Sequence, residues 1–273
     1  MAFSSALFRA GCFDGQVALI TGGGTGIGLA TARELASLGA KIAIASRSRD
    51  KVDAGAVTLR SDGADVLAET VDIREPAQVA ALVDAVLARF GRLDVLVNNA
   101  GGQFPAPAEQ MAQKGWDAVV RNNLSGTFYA TQAVAQKAMI PAKRGRIVNV
   151  IALIARGFPG MAHTGAARAG VENLTKSLAV EWAHHGIKVN AVAPGTIVSS
   201  GTAQYGDALL EQARKATPAK RLGTPEEVAR VVTFLASELN DYVTGCTYTI
   251  DGGATLWGDI WSIEEHGSAA AKP

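Results

Sequence analysis

The sequence predicts an α/β protein in which helices cover both faces of one doubly wound parallel sheet. Short apolar runs alternate with longer amphipathic segments along the chain. The runs are apolar throughout and do not alternate with polar residues, as expected of parallel strands that are buried on both faces. A glycine-rich turn follows the first run, at residues 21–28. Together these observations predict a single Rossmann-like domain.

The elements of the first half follow from apolar runs and helix boundaries. Each strand is an apolar run bounded by turn residues. Gly39 ends the first helix, and a proline begins the second. We expect strands at residues 16–20, 41–45, 66–71 and 94–97, and helices at 27–38 and 76–90.

The second half continues the alternation without a repeat or a linker. We expect helices at residues 116–140, 165–184 and 225–236, and strands at 146–150, 188–193 and 247–250. The domain is expected to span residues 1–273, with a core at 12–255 and a C-terminal tail at 256–273.

Composition excludes several classes of function. The 273 residues carry a net charge of +1, which gives no electrostatic footprint for nucleic acid. No apolar run approaches the roughly 20 residues that a membrane helix needs. Cys12 and Cys246 are isolated and have neither metal-ligand nor disulfide spacing. We therefore expect a cytoplasmic protein that binds a small molecule, with no metal, membrane or nucleic-acid partner.

The glycine-rich turn predicts a dinucleotide site. Glycine lets the backbone approach a pyrophosphate, and the helix that follows offers unpaired N–H groups and a partial positive charge. The expected contacts are Gly22, Gly24, Thr25, Gly26, Ile27 and Gly28.

The end of the second strand favours NADP(H) over NAD. NAD sites place a carboxylate about 20 residues beyond the glycines to bind the ribose. Here Ser46 and Arg47 occupy that place, and no acid occurs before Asp50. A hydroxyl and a guanidinium suit a 2′-phosphate. Arg49 and Lys51 are expected to be solvated charges at a helix start.

Several motifs, found in order, resemble the short-chain dehydrogenase/reductase (SDR) family. Residues 21–28 match its TGxxxGxG form, and residues 98–101 match its NNAG element. The family uses nicotinamide cofactors and commonly forms dimers or tetramers, so the resemblance implies a homo-oligomer. It also implies further cofactor contacts at Asp72, Ile73, Asn99, Ala100, Gly101, Pro194, Gly195 and Ile197.

The usual proton-transfer residues of that family are absent. SDR enzymes carry a tyrosine, three arbitrary residues and a lysine where this chain has Thr164 and Arg168. The family's serine has no counterpart in residues 150–153, whereas Asn123 matches its asparagine. An aliphatic alcohol is a poor general acid near neutral pH, and arginine rarely gives up its proton.

Reduction of a conjugated C=C bond needs no immediate acid. Hydride delivered to C3 of an α,β-unsaturated thioester leaves an enolate, which needs hydrogen-bond donors. We expect Asn123 and Thr164 to form this oxyanion site. By analogy with the family's lysine, Arg168 is expected to bind the nicotinamide ribose.

A closer resemblance agrees with this logic. Residues 98–104, 114–116, 163–171, 173–179, 218–221 and 225–228 look like the peroxisomal trans-2-enoyl-CoA reductases. The related 2,4-dienoyl-CoA reductases recruit a tyrosine after the fifth strand, where this chain has Ile154. The tyrosine suggested as proton donor in the enoyl-CoA group is replaced by Glu172. The remaining candidate phenol is Tyr205, in the loop after the Pro-Gly element.

The acyl thioester substrate is expected to lie in an apolar pocket lined by Gln103, Phe104, Pro105 and Met161, with His163 pointing into the cleft. Two basic sets are candidates for the phosphates of coenzyme A. They are Lys143, Arg144 and Arg156, or Arg214, Lys215, Lys220 and Arg221.

Two alternatives stay open. One is an SDR carbonyl or alcohol oxidoreductase, acting on a 3-ketoacyl, terpenoid or fatty alcohol substrate with Tyr205 or a water relay as the acid. The other is a catalytically silent NADP-binding protein, which the joint loss of tyrosine, lysine and serine suggests.

Overall fold

The computed structural model describes residues 8–199 and 206–256. Within them, seven parallel strands form one sheet in the order β3-β2-β1-β4-β5-β6-β7. The strands are β1 (Val17–Thr21), β2 (Lys41–Ser46), β3 (Val66–Thr70), β4 (Val95–Asn98), β5 (Gly145–Val150), β6 (Ile187–Pro194) and β7 (Thr247–Ile250). The predicted Rossmann-like sheet is confirmed. Strands β2 and β3 lie on one side of β1, and β4 to β7 lie on the other, so the strand order changes direction between β1 and β4, which is where such sheets bind ligands.

Helices cover both faces of the sheet. They are α1 (Gly26–Ser37), α2 (Arg49–Ser61), α3 (Pro76–Phe90), α4 (Gln113–Val120), α5 (Gly126–Val134), α6 (Ile140–Ala142), α7 (Ala162–Glu181), α8 (Asp207–Ala216) and α9 (Pro225–Ala236). The long helix predicted at 116–140 corresponds to α4, α5 and α6. Two π-helical turns, Arg121–Ser125 and Ala135–Met139, join these three segments. None of the described helices is both long and apolar enough to cross a membrane.

Successive residues of the strands point to opposite faces, so the sheet has two cores. In β1, Ala18 and Ile20 pack with α1, α2 and α9. Val17 and Leu19 pack on the other face with α3, α5 and α7. This two-sided burial explains the uniformly apolar strands in the sequence.

The sequence analysis did not identify α2 and α8. Helix α2 begins with charged residues and contains Gly55, yet it buries Val52, Ala56 and Leu59 against the sheet. Gly55 is needed because a Cβ there would collide with the backbone of Gly24. Helix α8 buries no residue fully. Its apolar side lines a pocket instead, so it lacks the pattern of a core helix.

A buried polar network ties the centre of the sheet to the helices. Asn98 Nδ2 donates to Thr131 Oγ1 (2.8 Å) and to Asn149 Oδ1 (2.9 Å). Asn149 Nδ2 donates to Thr175 Oγ1 (2.9 Å), whose hydroxyl donates to the Val171 carbonyl. The network therefore joins β4, β5, α5 and α7 and holds α7 in place against the sheet.

Candidate active site

A first cavity, of about 370 Å³, lies at the carboxyl ends of the central strands. The residues that line it come mainly from the turn before α1 and from the segments that follow β2, β3 and β4. It brings together the predicted cofactor residues Gly22, Gly24, Thr25, Gly26, Ile27, Ser46, Arg47, Ile73, Asn99, Ala100 and Gly101.

The turn around this cavity fits a dinucleotide pyrophosphate. Gly22 has φ +67°, and a Cβ there would lie 2.8 Å from Asn99 Nδ2. A Cβ at Gly24 would collide with the Lys51 carbonyl. The N-cap residue of α1, Thr25, makes no side-chain cap bond, so the first amides of the helix are left for an anion. Gly28 does not line the cavity; it lets α1 pack on the turn.

The adenosine end of the cavity is basic. Arg47 is exposed and forms no ion pair within residues 8–199 and 206–256. Lys51, expected to be a solvated charge, lines the same cavity. Ser48, Val71, Asn122 and Ser199 also line it, and the sequence analysis missed them.

Asp72, one of the cofactor contacts that the family resemblance implies, does not line the cavity. Its Oδ1 accepts a hydrogen bond from Arg74 Nε at 2.9 Å. The Arg74 guanidinium lowers the pKa of this carboxyl group. The neighbouring Ile73 provides the wall of the cavity instead.

A second cavity, of about 430 Å³, continues from the first. Ile27 and Ser199 line both. Of the predicted residues, Arg168, Pro194, Gly195, Ile197, Gln103 and Met161 line the second cavity. The remaining lining is Ile151, Ala152, Leu153, Phe158, Thr196, Leu209, Leu210, Ala213, Thr217 and Ala254.

The second cavity is largely apolar and holds no acid among its described lining residues. Arg168 is the one titratable side chain in that set. The hydroxyl groups of Thr196, Ser199 and Thr217 are aliphatic alcohols, which are poor general acids. Tyr205, the candidate phenol, lies outside the described residues.

Arg168 is a buried cation with no carboxylate partner among residues 8–199 and 206–256. It is 8% exposed, and Nη1 donates to the Val150 carbonyl at 3.0 Å. Its Nε has no hydrogen-bond partner among the described residues. Burial alone lowers the pKa of the guanidinium to about 10, so it stays charged at neutral pH. A buried charge is costly when unpaired, which favours an anionic or strongly dipolar ligand beside it.

Asn123 lies beneath the cavities and not on their surface. It is fully buried in the π-helical turn. Its Oδ1 accepts from the Gly102 N–H at 3.0 Å, and its Nδ2 donates to the Gly102 carbonyl at 2.9 Å. The amide therefore anchors the loop after β4. A direct contact with substrate would require these bonds to open.

Thr164 and His163 are also fully buried, and neither lines the second cavity. The Thr164 N–H donates to His163 Nδ1 at 2.8 Å, so this ring nitrogen acts as a hydrogen-bond acceptor. The Phe104 ring meets the imidazole edge-on, with 4.7 Å between centroids. In this structure, then, the predicted oxyanion pair of Asn123 and Thr164 does not share a surface with Arg168.

Most basic candidates for coenzyme A phosphates are paired or remote. Lys143 and Arg144 directly precede β5 and so lie at the amino ends of the strands, whereas the cleft lies at the carboxyl ends. Arg144 pairs with Asp94 at 2.6 Å. The other set lies nearer the second cavity, where Arg214 and Lys215 pair with Glu211 and Arg221 pairs with Glu227. Arg156 is exposed in the loop after β5.

Gly101 provides a test of the Arg168 position. An added Cβ would overlap Arg168 Nη2 and lie 2.8 Å from Asn123 Oδ1. Gly101→Ala is therefore expected to displace the guanidinium and lower kcat/KM by about 100-fold. Gly102→Ala is the matched control, because a Cβ there would have its nearest neighbour at 3.6 Å. Equal steady-state kinetics for the two variants would contradict the expected role of this contact.

Comparison with known proteins establishes the class. A family model described as "Enoyl-(Acyl carrier protein) reductase" matches residues 22–255. The chain belongs to the short-chain dehydrogenase/reductase family and is an oxidoreductase of the kind that uses a nicotinamide cofactor.

Relatives with similar sequence identity to this chain are named for different reactions. A probable 2,4-dienoyl-CoA reductase of Bacillus subtilis is 36% identical over 246 residues, which cover 88% of this chain and 97% of the relative. A 3-oxoacyl-(acyl-carrier-protein) reductase of Thermotoga maritima is 39% identical over 89% of this chain and 99% of the relative. A solved structure named citronellol catabolism dehydrogenase, from Pseudomonas aeruginosa, is 43% identical and superposes with a TM-score of 0.83. The match covers 91% of this chain and 98% of that chain.

Proposed function

We propose that the protein is an NADPH-dependent reductase of the C=C bond in a trans-2-enoyl thioester, with an acyl-CoA as substrate. One observation carries the proposal: Arg168 is a buried guanidinium that pairs with no described carboxylate, in a cavity whose described lining contains no acid. Such a site is able to stabilise a developing negative charge, but it has no group suited to protonating an alkoxide.

In this proposal the first cavity binds the cofactor and the second cavity binds the substrate. When bound, NADPH supplies a hydride, which adds to C3 of the thioester. The C=C electron pair then moves toward the carbonyl, and the resulting enolate oxygen carries the negative charge. Arg168 stabilises that oxygen and contacts the nicotinamide ribose. C2 takes its proton from water, which completes the reduction.

Asn123 and Thr164 have indirect roles in this proposal. Asn123 holds Gly102 through two hydrogen bonds and so positions the neighbouring Gln103 at the cavity wall. The Thr164 N–H orients His163, which packs against Phe104. Both are positioning residues, and Arg168 takes the oxyanion role that the sequence analysis gave to them.

NADPH is preferred in the proposal because two cations, Arg47 and Lys51, line the adenosine end of the first cavity. Arg47→Ala is expected to weaken NADPH binding by about tenfold or more, since a phosphate contact is a charge-assisted hydrogen bond. NADH binding is expected to change little. Arg49→Ala is the matched control, because Arg49 pairs with Asp53 at 2.8 Å. Titration of both cofactors with each variant gives the comparison, and an equal loss for NADH would contradict the 2′-phosphate assignment.

Isotope placement tests the reaction itself. NADPH deuterated at C4, in ordinary water, is expected to leave deuterium at C3 of the saturated acyl chain. In D₂O with unlabelled NADPH, the solvent deuterium is expected at C2. NMR of the purified product gives both positions. The proposal would be contradicted if deuterium from NADPH appeared on the carbinol carbon formed from a 3-ketoacyl substrate while an enoyl substrate took up no label in its acyl chain.

The similarity to relatives named for reductases of dienoyl-CoA supports a C=C substrate, although other relatives are named for ketone or alcohol chemistry. A second candidate is therefore an alcohol or ketone oxidoreductase, favoured by the 43% identity with the citronellol catabolism dehydrogenase. It requires a proton carrier that is absent from the described lining of the second cavity.

A further inference from the structure

We propose that Asn122 recognises the adenine ring of the cofactor through its side-chain amide and so makes the first cavity specific for an adenine dinucleotide. This inference rests on the proposed function, in which that cavity binds NADPH. Asn122 lies in the π-helical turn Arg121–Ser125 and lines the first cavity. It directly precedes Asn123, but the two side chains have different surroundings.

Asn122 is buried, yet its amide has no hydrogen-bond partner among residues 8–199 and 206–256. The residue is 6% exposed. Asn123 binds Gly102 through both of its amide atoms, whereas no described residue donates to Asn122 Oδ1 or accepts from Asn122 Nδ2. Neither atom is sealed off from the cavity. A buried amide without hydrogen bonds costs free energy, so this arrangement favours a ligand that supplies a donor and an acceptor together.

The amide and the glycine-rich turn belong to opposite sides of the first cavity. The turn leads into α1, which packs together with α9 on one face of the sheet. The π-helical turn of Asn122 leads into α5, which packs together with α3 on the other face. A dinucleotide at the strand ends lies between these faces, with its pyrophosphate against the glycine-rich turn. Asn122 is therefore available to a part of the ligand other than the pyrophosphate.

The cavity wall beside Asn122 suits a flat apolar ring. Ile73 lines the cavity and packs against α5 at Gly126, where a Cβ would lie 2.8 Å from Ile73 Cδ1. Gly126 is four residues beyond Asn122, so the two lie on the same side of the helical segment. Val71 adds apolar surface to the same wall. This wall follows β3, next to β2 and Arg47, where the proposed function places the 2′-phosphate of the adenosine.

A carboxamide matches the edge of adenine. The exocyclic amino group is able to donate to Oδ1 while the adjacent ring nitrogen accepts from Nδ2, which is the pairing that asparagine makes with adenine in nucleic acids. Asp72, which the family resemblance implies as a cofactor contact, does not line the cavity, and its carboxyl group accepts hydrogen bonds from Arg74. Asn122 therefore supplies the donor and the acceptor for the base that Asp72 does not.

The test removes the amide and the adenine amino group separately and together. Asn122→Leu keeps the size of the side chain and removes both hydrogen-bonding atoms. NADP⁺ is compared with its analogue in which purine replaces adenine, so that the ligand loses only the amino group. Binding of each ligand to the full-length protein is measured by calorimetry, and the four affinities form a double-mutant cycle. Ser125→Ala is the matched control, because Ser125 lies in the same π-helical turn and lines neither cavity.

Wild type and Ser125→Ala are expected to bind NADP⁺ about tenfold more tightly than the purine analogue, because the amide pairs with the amino group. Asn122→Leu is expected to bind NADP⁺ about tenfold more weakly than wild type does. Its affinities for the two ligands are expected to agree within about threefold, since the amino group then has no partner to lose. Asn122→Ala is a second variant, which adds no side-chain bulk and is expected to lose the same discrimination.

Weakening of both ligands to the same degree by Asn122→Leu would overturn the adenine assignment and would place the amide at another part of the cofactor. Unchanged binding of both ligands would overturn it as well. The same comparison with NAD⁺ and its purine analogue tests the adenine contact independently of the 2′-phosphate. Because calorimetry measures binding of the oxidised cofactor, it does not depend on catalysis. Failure of enoyl reduction with the expected loss of discrimination would count against the proposed reaction alone.

Discussion

Replacing Arg168 with methionine is expected to lower kcat/KM for a trans-2-enoyl-CoA by about 1000-fold, the upper range for loss of one oxyanion donor. Methionine is apolar and matches the aliphatic stem of arginine, so the packing of that stem in the wall of the second cavity is kept while the guanidinium is removed. The loss is expected mainly in kcat, because the enolate charge develops only as the hydride is transferred. Steady-state NADPH oxidation over a range of substrate concentrations separates the two parameters.

The control for this variant is Arg89→Met. Arg89 lies in the last turn of α3, is exposed and lines neither cavity. Its replacement is expected to leave kcat within about twofold, since exposed charges contribute little. A direct NADPH titration of Arg168→Met separates lost cofactor binding from lost catalysis. Unchanged kcat with intact NADPH binding would contradict the assignment of Arg168 to the oxyanion.

Replacing Asn149 with alanine is expected to destabilise the fold by about 2–3 kcal/mol, because two buried polar atoms of the network each lose a hydrogen-bond partner. Asn98 Nδ2 would lose one of its two acceptors, and Thr175 Oγ1 would lose its donor. Thr175 lies on α7 together with Arg168, so the position of the guanidinium is expected to suffer as well. Urea unfolding gives the change in the free energy of unfolding.

Asn173→Ala is the matched control for the network. Asn173 lies on the exposed side of the same helix. Its replacement is expected to change the free energy of unfolding by at most about 0.5 kcal/mol, as is usual for surface substitutions. A similar loss for Asn149→Ala and Asn173→Ala would mean that the network does not contribute as described.

The strands and the cofactor turn were predictable because their signals are local. A strand buried on both faces is apolar at every position, and a turn that must approach a pyrophosphate is rich in glycine. Helices α2 and α8 were missed for physical reasons. Helix α2 has a charged start and needs Gly55 for close packing, and the apolar side of α8 faces a ligand cavity.

The site was predictable in residue type but not in orientation. Arg168 was identified by its place in a motif, and the structure puts it in the second cavity. The sequence could not reveal that the Asn123 side chain forms hydrogen bonds to Gly102 through both Oδ1 and Nδ2. This contact depends on the π-helical turn and on the path of a distant loop. The sequence predicts only a solvated charge at Lys51, because its proximity to the cavity depends on how α2 packs against the turn.

One rate comparison tests the central claim, that a pocket whose described lining holds a buried cation and no acid reduces C=C and not C=O bonds. NADPH oxidation is measured with trans-2-octenoyl-CoA and with 3-oxooctanoyl-CoA, which have the same chain length and the same carrier. We expect turnover of the enoyl substrate with kcat/KM at least about 100-fold above that of the ketoacyl substrate, since general acid catalysis contributes that much or more to ketone reduction. Faster turnover of 3-oxooctanoyl-CoA would contradict the account and would point to a proton donor outside the described residues.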